Sequence, residues 1–211
     1  MNETKLIVIR HGETVSNTEK RLQGHSDSPL SVTGISQSKA VAKRLKNVKF
    51  SELYCSDLGR AIQTAELISQ QTGHKLIKDQ RLRERNLGIF QGLVKDEIKI
   101  KYPEHWKSFH TAGPDYIIPD GESANQRFQR SINCFEEIAQ NNFNKSVVII
   151  SHGSVLDGLF RYVVGVPIDL PRKMKIWNAG YNEFIFQDGI WLLNTWGDIS
   201  HLTNIRALDL W

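Results

Sequence analysis

Apolar positions along this 211-residue chain fall into two kinds of run. LIVI at 6–9 and VVII at 147–150 are short, β-branched and unalternating, the pattern of strands covered on both faces of a parallel sheet. Elsewhere apolar residues recur at helical spacing: Ile35, Ala42 and Leu45; then Leu58, Ala61, Ile62, Ala65 and Ile68; then Ala124, Phe128, Ile132, Phe135 and Ile138. Each stripe predicts an amphipathic helix, the last one preceded by the turn-forming PDGES at 119–123. Another helix is expected after Gly153, through Val155, Leu156, Leu159 and Phe160. LYC (53–55) and KLI (75–77) are short strand candidates, and EFIF (183–186) with IWLL (190–193) around Asp188-Gly189 predicts a closing hairpin. Strands that alternate with helices predict an α/β fold. No repeat or Pro/Gly/Ser linker divides the chain, so a single domain over 1–211 is expected, with 93–122 an irregular excursion covering a site.

Charge narrows the class of ligand. Lys and Arg number 27 against 23 Asp and Glu, a formal +4 spread along the chain rather than gathered in one block. That balance suits a small anionic ligand better than a nucleic acid. No stretch of about 18 apolar residues and no charged leader followed by an apolar run is present. The expectation is a soluble, cytoplasmic protein with no membrane partner, acting as a monomer or homodimer. Cys55 and Cys134 lie far apart without a CxxC pair, so free thiols are expected rather than a disulfide framework or zinc site.

Both buried-strand candidates run directly into chemistry: LIVI into Arg10-His11-Gly12, and VVII into Ser151-His152-Gly153. Ligands of open α/β sheets sit at the carboxyl ends of strands, so both histidines are expected at one edge. A single histidine there commonly satisfies backbone groups; two in the same strand-His-Gly context point to a site. Arg60 reaches the same edge if LYC lies next to LIVI, although alone it reads as a solvated helix residue. Two guanidiniums and two imidazoles describe a pocket for a phosphoryl dianion, since the planar fork matches phosphate oxygens in pairs. Histidine can serve as the nucleophile, and a proton for the departing oxygen could come from Glu84 or Glu13, depending on pKa and donor geometry.

RHGETVSN (10–17), RLQGHSDSPLSVTG (21–34), YCSDLGRAIQTAE (54–66), LRERNLGIFQG (82–92), PDGES (119–123) and SHGSVLDGL (151–159), in that order, resemble the histidine phosphatase superfamily, also called phosphoglycerate mutase-like. DISHL at 198–202 looks like its final segment. The resemblance implies a three-layer α/β/α sandwich with a mostly parallel central sheet. It implies His11 as the nucleophile that becomes phosphohistidine, and Arg10, Arg60 and His152 around the phosphoryl group. It also implies Glu84, in preference to Glu13, as proton donor. Asn17, the Gln23-Gly24 turn and the Gly153 amide would make further phosphate or substrate contacts. Phosphatase members are expected to need no metal or organic cofactor. Ser16 stands where many members have tryptophan.

Phosphatase and mutase differ in what accepts the phosphoryl group. A mutase excludes water and clamps a bisphosphorylated intermediate, with 2,3-bisphosphoglycerate as cofactor. Residues 93–119 contain lysines but no arginine, and QGHSDSPL replaces the TGWxDxxL typical of mutases, so a phosphatase acting on a small phosphorylated metabolite is expected. A non-catalytic phospho-ligand module would have lost the nucleophile or the acid; both are present. A cysteine-dependent phosphatase needs C-x5-R, whereas four residues separate Cys55 from Arg60. Trp106 and Phe109 could line a substrate mouth but read first as aromatics that hold the excursion to the core; Lys95, Lys99 and Lys101 read as a solvated face, although lysines near a lid could recruit an anionic substrate; and His201 reads as structural.

Overall fold

The computed structural model describes residues 3–206; the ends of the expected 1–211 unit lie outside the described residues. In chain order the elements are β1 (Glu3–Arg10), α1 (Val15–Thr18), α2 (Val32–Leu45), β2 (Glu52–Cys55), α3 (Gly59–Thr72), β3 (Leu76–Lys78), α4 (Lys95–Lys101), α5 (Pro103–Thr111), α6 (Ala124–Asn141), β4 (Ser146–Ser151), α7 (Gly153–Val164), β5 (Tyr181–Gln187) and β6 (Ile190–Asp198). The strands form one six-stranded sheet in the order β3-β2-β4-β1-β5-β6. β3, β2, β4 and β1 are mutually parallel; β5 runs antiparallel to β1 and β6 antiparallel to β5.

The unalternating runs follow from two-sided burial. Leu6 and Val8 face a core with Ile132, Phe135, Ile138, Leu156 and Leu159 of α6 and α7. Ile7 and Ile9 face the opposite core, with Val41, Leu45, Ala61, Ala65 and Ile68 of α2 and α3. The result is the expected α/β/α layering around a mixed sheet. Ile35 departs from its predicted stripe and is 39% exposed. The buried face of α2 is set instead by Gly34, Gln37, Ser38, Val41, Ala42 and Leu45. At the hairpin, Asp188 (φ 50°) and Gly189 (φ 84°) form a two-residue turn with both residues left-handed, the geometry that matches strand twist.

One expected neighbour relation is corrected. LYC does not lie next to LIVI, because β4 inserts between them and pairs with both. α3 takes the chain outward to β3 at the sheet's edge, α6 returns it to the central slot, and the LYC edge is displaced by one strand without leaving the ligand side. Residues 93–122 are also more ordered than expected. α4 and α5 pack a small core of Leu87, Phe90, Ile98 and Ile118, with Tyr102, Trp106 and Phe109 against it. Trp106 and Phe109 meet Phe90 edge-on at centroid distances of 6.0 and 5.7 Å, so they do hold this cover to the body.

Candidate active site

Strand register brings the two histidines together. Arg10 is the partner of Ser151 in the β1–β4 pairing, and the His11 amide donates to the Ser151 carbonyl at 3.0 Å. His11 and His152 therefore leave the sheet side by side, with ring centroids 5.1 Å apart. His11 Nδ1 lies 2.7 Å from the Gly12 carbonyl, which can only accept, so Nδ1 carries the proton and Nε2 keeps a lone pair. Asn178 Nδ2 donates to the His11 carbonyl at 2.9 Å and fixes the backbone there. Gly12 is needed for close approach: a Cβ would meet the Gly34 carbonyl at 2.5 Å and Ser38 Oγ at 2.6 Å.

The arginines are locked by neighbouring backbone. Arg10 Nη1 donates to the Ile176 carbonyl at 2.7 Å. Arg60 enters from the first turn of α3, where its Nη2 donates to the Gly24 carbonyl at 2.7 Å and its Nη1 to the Ser26 carbonyl at 3.0 Å. Leu58 gives α3 no side-chain cap. Asp27 replaces it from another loop, accepting from the Gly59 and Arg60 amides, a carboxylate where the helix dipole favours one. Both guanidiniums are nearly fully buried, at 2% and 1% exposure, and Arg60 Nε has no hydrogen-bond partner among the described residues.

Burial, followed by the charges of Arg60 and Arg10, holds His11 well below the usual histidine range. His152 is lowered well below that range too, by burial first, then by Arg60, His11 and Arg10. Both rings are thus neutral at physiological pH. His152 Nε2 lies 2.8 Å from Ser56 Oγ, at the end of β2, and its buried Nδ1 has no hydrogen-bond partner among the described residues.

Glu84 is 4% exposed, and three donors converge on its carboxyl. The Arg85 amide donates to Oε1 at 2.7 Å, the Ser154 amide to Oε2 at 3.2 Å, and the Ser154 hydroxyl contacts Oε1. Arg130 of α6 donates to the carbonyls of Arg81, Arg83 and Glu84, and pairs with Glu122 of PDGES at 2.6 Å. That explains the functional weight of PDGES: Glu122 also accepts from the Asn86 amide, so the turn frames the segment bearing Glu84. Glu13, by contrast, accepts from Ser31 Oγ at 2.6 Å and is not among the cavity-lining residues.

A cavity of about 570 Å³ gathers Arg10, His11, Asn17, Gln23, Gly24, Arg60 and Glu84 on its walls. The cover supplies Val94, Lys95, Asp96 and Lys99. Of the three lysines of the excursion, Lys95 and Lys99 belong to this wall. Two predicted residues are not among its lining: His152, beside His11, is completely buried, and Gly153 lines a second cavity beside Ser154 and Asp157. Sequence reading missed Ser56, Ser154 and Asn178. Ser56 and Ser154 stand beside predicted motifs at strand and helix ends, a usable signal, whereas nothing local marks Asn178. Cys55 is buried, with its thiol pushed up to about 12 by burial, and is not part of the cavity wall. His201 Nε2 lies 2.9 Å from the Ala179 carbonyl and its Nδ1 3.3 Å from Arg44, a structural setting. Among the described residues no three His, Cys, Asp or Glu side chains cluster as metal ligands, and no helix is long and apolar enough to cross a membrane.

Known proteins are similar to this one over nearly the whole chain. Phosphoglycerate mutase-like protein 4 of Arabidopsis thaliana is 38% identical over 210 residues, covering 97% of this chain and 90% of that protein. The structure of Bacillus stearothermophilus YhfR superposes with a TM-score of 0.87 at 31% identity, covering 94% of this chain and 99% of the other. Mycobacterial glucosyl-3-phosphoglycerate phosphatase Rv2419c gives a TM-score of 0.79 at 27% identity, over 92% of this chain and 99% of that one. The profile of the histidine phosphatase superfamily (branch 1) matches residues 6–199, spanning every element that builds the site, and the chain belongs to that superfamily.

Proposed function

We propose that the protein is a metal-independent phosphomonoesterase acting on a small phosphorylated metabolite through a phosphohistidine at His11. The observation that carries this reading is the His11 ring, which lines the cavity with Nδ1 committed to the Gly12 carbonyl and Nε2 left to attack. Nε2 forms a bond to phosphorus as the bond to the leaving oxygen breaks, and Glu84 supplies the proton that this oxygen takes. Water then attacks phosphorus, the P–N bond breaks, and Glu84 takes a proton back. Arg10 and Arg60 neutralise the phosphoryl oxygens as charge redistributes, and His152 offers Nδ1–H to one of them while Ser56 holds Nε2. Asn17, Gln23 and Gly24 meet the body of the substrate. Gly153 has no role in this scheme.

Two features favour water as the acceptor. The cavity is far larger than a phosphoryl group, which leaves room for water at the intermediate, and the cover at 93–119 offers no arginine clamp. The mutase-like name of the Arabidopsis relative supports the second reading, a phosphoglycerate mutase dependent on 2,3-bisphosphoglycerate. A phosphomonoester panel run beside a mutase assay with added 2,3-bisphosphoglycerate separates them. Release of inorganic phosphate that survives chelation is expected. Mutase turnover exceeding every hydrolysis rate would overturn the phosphatase reading.

A further inference from the structure

The proton cycle at Glu84 leaves one buried cation, Arg127, unused. Arg127 stands near the start of α6 and is 3% exposed, and its Nε and Nη1 have no hydrogen-bond partner among the described residues. A guanidinium with unmet donors in a protein interior is costly and calls for a compensating charge. α7 leaves a slot for it, since a Cβ on Gly158 would collide with Arg127 Nη1. One helical turn before Gly158 on the same helix is Ser154, whose amide and hydroxyl contact the Glu84 carboxyl. Burial works against the charge of Arg127, and of the groups around it Glu84 does most to sustain that charge, followed by Asp157. Arg85, next in the chain after Glu84, is brought down to about 10 by burial and then by Arg127.

Other charges near Glu84 are matched or engaged elsewhere. Arg130 pairs with Glu122, Asp157 pairs with Arg161 at 2.9 Å, and Arg85 donates to the carbonyls of Glu122 and Tyr116. Arg10 and Arg60 line the catalytic cavity with Glu84, where the phosphoryl group takes up their charge, and both catalytic histidines are neutral. His25 Nε2 lies 2.9 Å from the Glu84 carbonyl, not from its carboxyl. The groups that bond the carboxyl directly are two amides and a hydroxyl, all uncharged.

We propose that Arg127 is a positioning residue for the acid: lodged in the slot left by Gly158, its charge acts through space on Glu84 and stabilises the carboxylate that remains once the leaving oxygen has taken the proton. This rests on the phosphomonoesterase reading and deepens it. A carboxyl in a dry site gives up its proton reluctantly, and a nearby cation offsets that reluctance. With no hydrogen bond to the carboxyl, Arg127 sustains its charge without occupying an oxygen that has to face the substrate.

Arg127→Met and Arg127→Lys in the whole chain test this. The readout is the pH profile of kcat/KM for the fastest alkyl phosphate of the panel and for 4-nitrophenyl phosphate. Only the alkyl ester needs the Glu84 proton, so loss of that proton sets the alkaline limb of its profile. In Arg127→Met the carboxylate loses its support and keeps the proton to higher pH, so this limb should move up by about one pH unit. For 4-nitrophenyl phosphate the limb should move by less than about 0.3 unit. Arg127→Lys keeps the charge and should move the alkyl limb less than half as far. Removal of an unmatched buried charge should leave Tm unchanged or raise it. An alkyl limb that stays in place in Arg127→Met, a movement shared equally by both substrates, or a lowered Tm with equal rate losses overturns the role of Arg127 alone. Absence of His11-dependent phosphate release from every alkyl member overturns the phosphomonoesterase reading and this role with it.

Discussion

His11 and His152 show how one set of charges serves two ends. The buried guanidiniums of Arg10 and Arg60 attract a phosphoryl dianion, and the same charges help keep both rings neutral, as a nucleophilic imidazole must be. At Glu84, the Ser154 hydroxyl can donate to the carboxylate or, rotated, accept from the carboxylic acid, so it fits both halves of the proposed proton cycle. Glu84→Gln keeps the acceptor for the Arg85 amide but cannot release a proton. Its kcat/KM on an alkyl phosphate, which reports formation of the phosphohistidine and not its hydrolysis, should fall about 10²–10³-fold, against less than about tenfold on 4-nitrophenyl phosphate, whose leaving group needs no proton. Equal losses on both would contradict the acid role. The residues at strand ends were legible because a polar doublet ending an apolar run is conspicuous. Asn178 was not: its bond to the His11 carbonyl closes over 167 residues, and no local periodicity marks such a contact.

Among the elements, α2 decides where the nucleophile loop sits. It approaches that loop through Gly34, where a Cβ would collide with the backbone carbonyl of Glu13. Alanine in an open helical position would stabilise by about 1 kcal/mol over glycine. Here the obstacle is backbone rather than a flexible side chain, so Gly34→Ala should instead destabilise by about 2 kcal/mol. The forced shift of the loop should also cut kcat/KM by at least about tenfold, given the sensitivity of catalysis to displacements near 1 Å. Thermal unfolding and steady-state kinetics check both; an unchanged or raised Tm would contradict the close-docking account. Periodicity located α3, α6 and α7 well because the residues they pack on the sheet are apolar. It misjudged α2 at Ile35 because the face that docks on the loop is built from Gly34, Gln37 and Ser38, which carry no hydrophobic signal. The cover read as irregular because α4 and α5 are short, α4 burying only Ile98 and α5 no residue completely.

Across the whole molecule, the sheet sets the geometry. β4 and β1 lie side by side at its centre, and the loops leaving their carboxyl ends carry His11 and His152; β2, one strand further out, delivers Ser56 and leads into Arg60. Strand order was the part of the architecture that the chain concealed, since nothing in LYC or VVII says which of them neighbours LIVI. The ordered set of motifs was legible because each marks a place where the fold meets the site: Gly12 at α2, Asp27 at α3, Glu122 beneath Glu84. The account as a whole stands on covalent chemistry at His11. Incubation with a phosphomonoester labelled in its phosphoryl group, followed by a rapid quench, should trap a protein-bound label that is acid-labile, alkali-stable and absent from His11→Ala. Label that persists in His11→Ala, or that resides on Cys55, would contradict it.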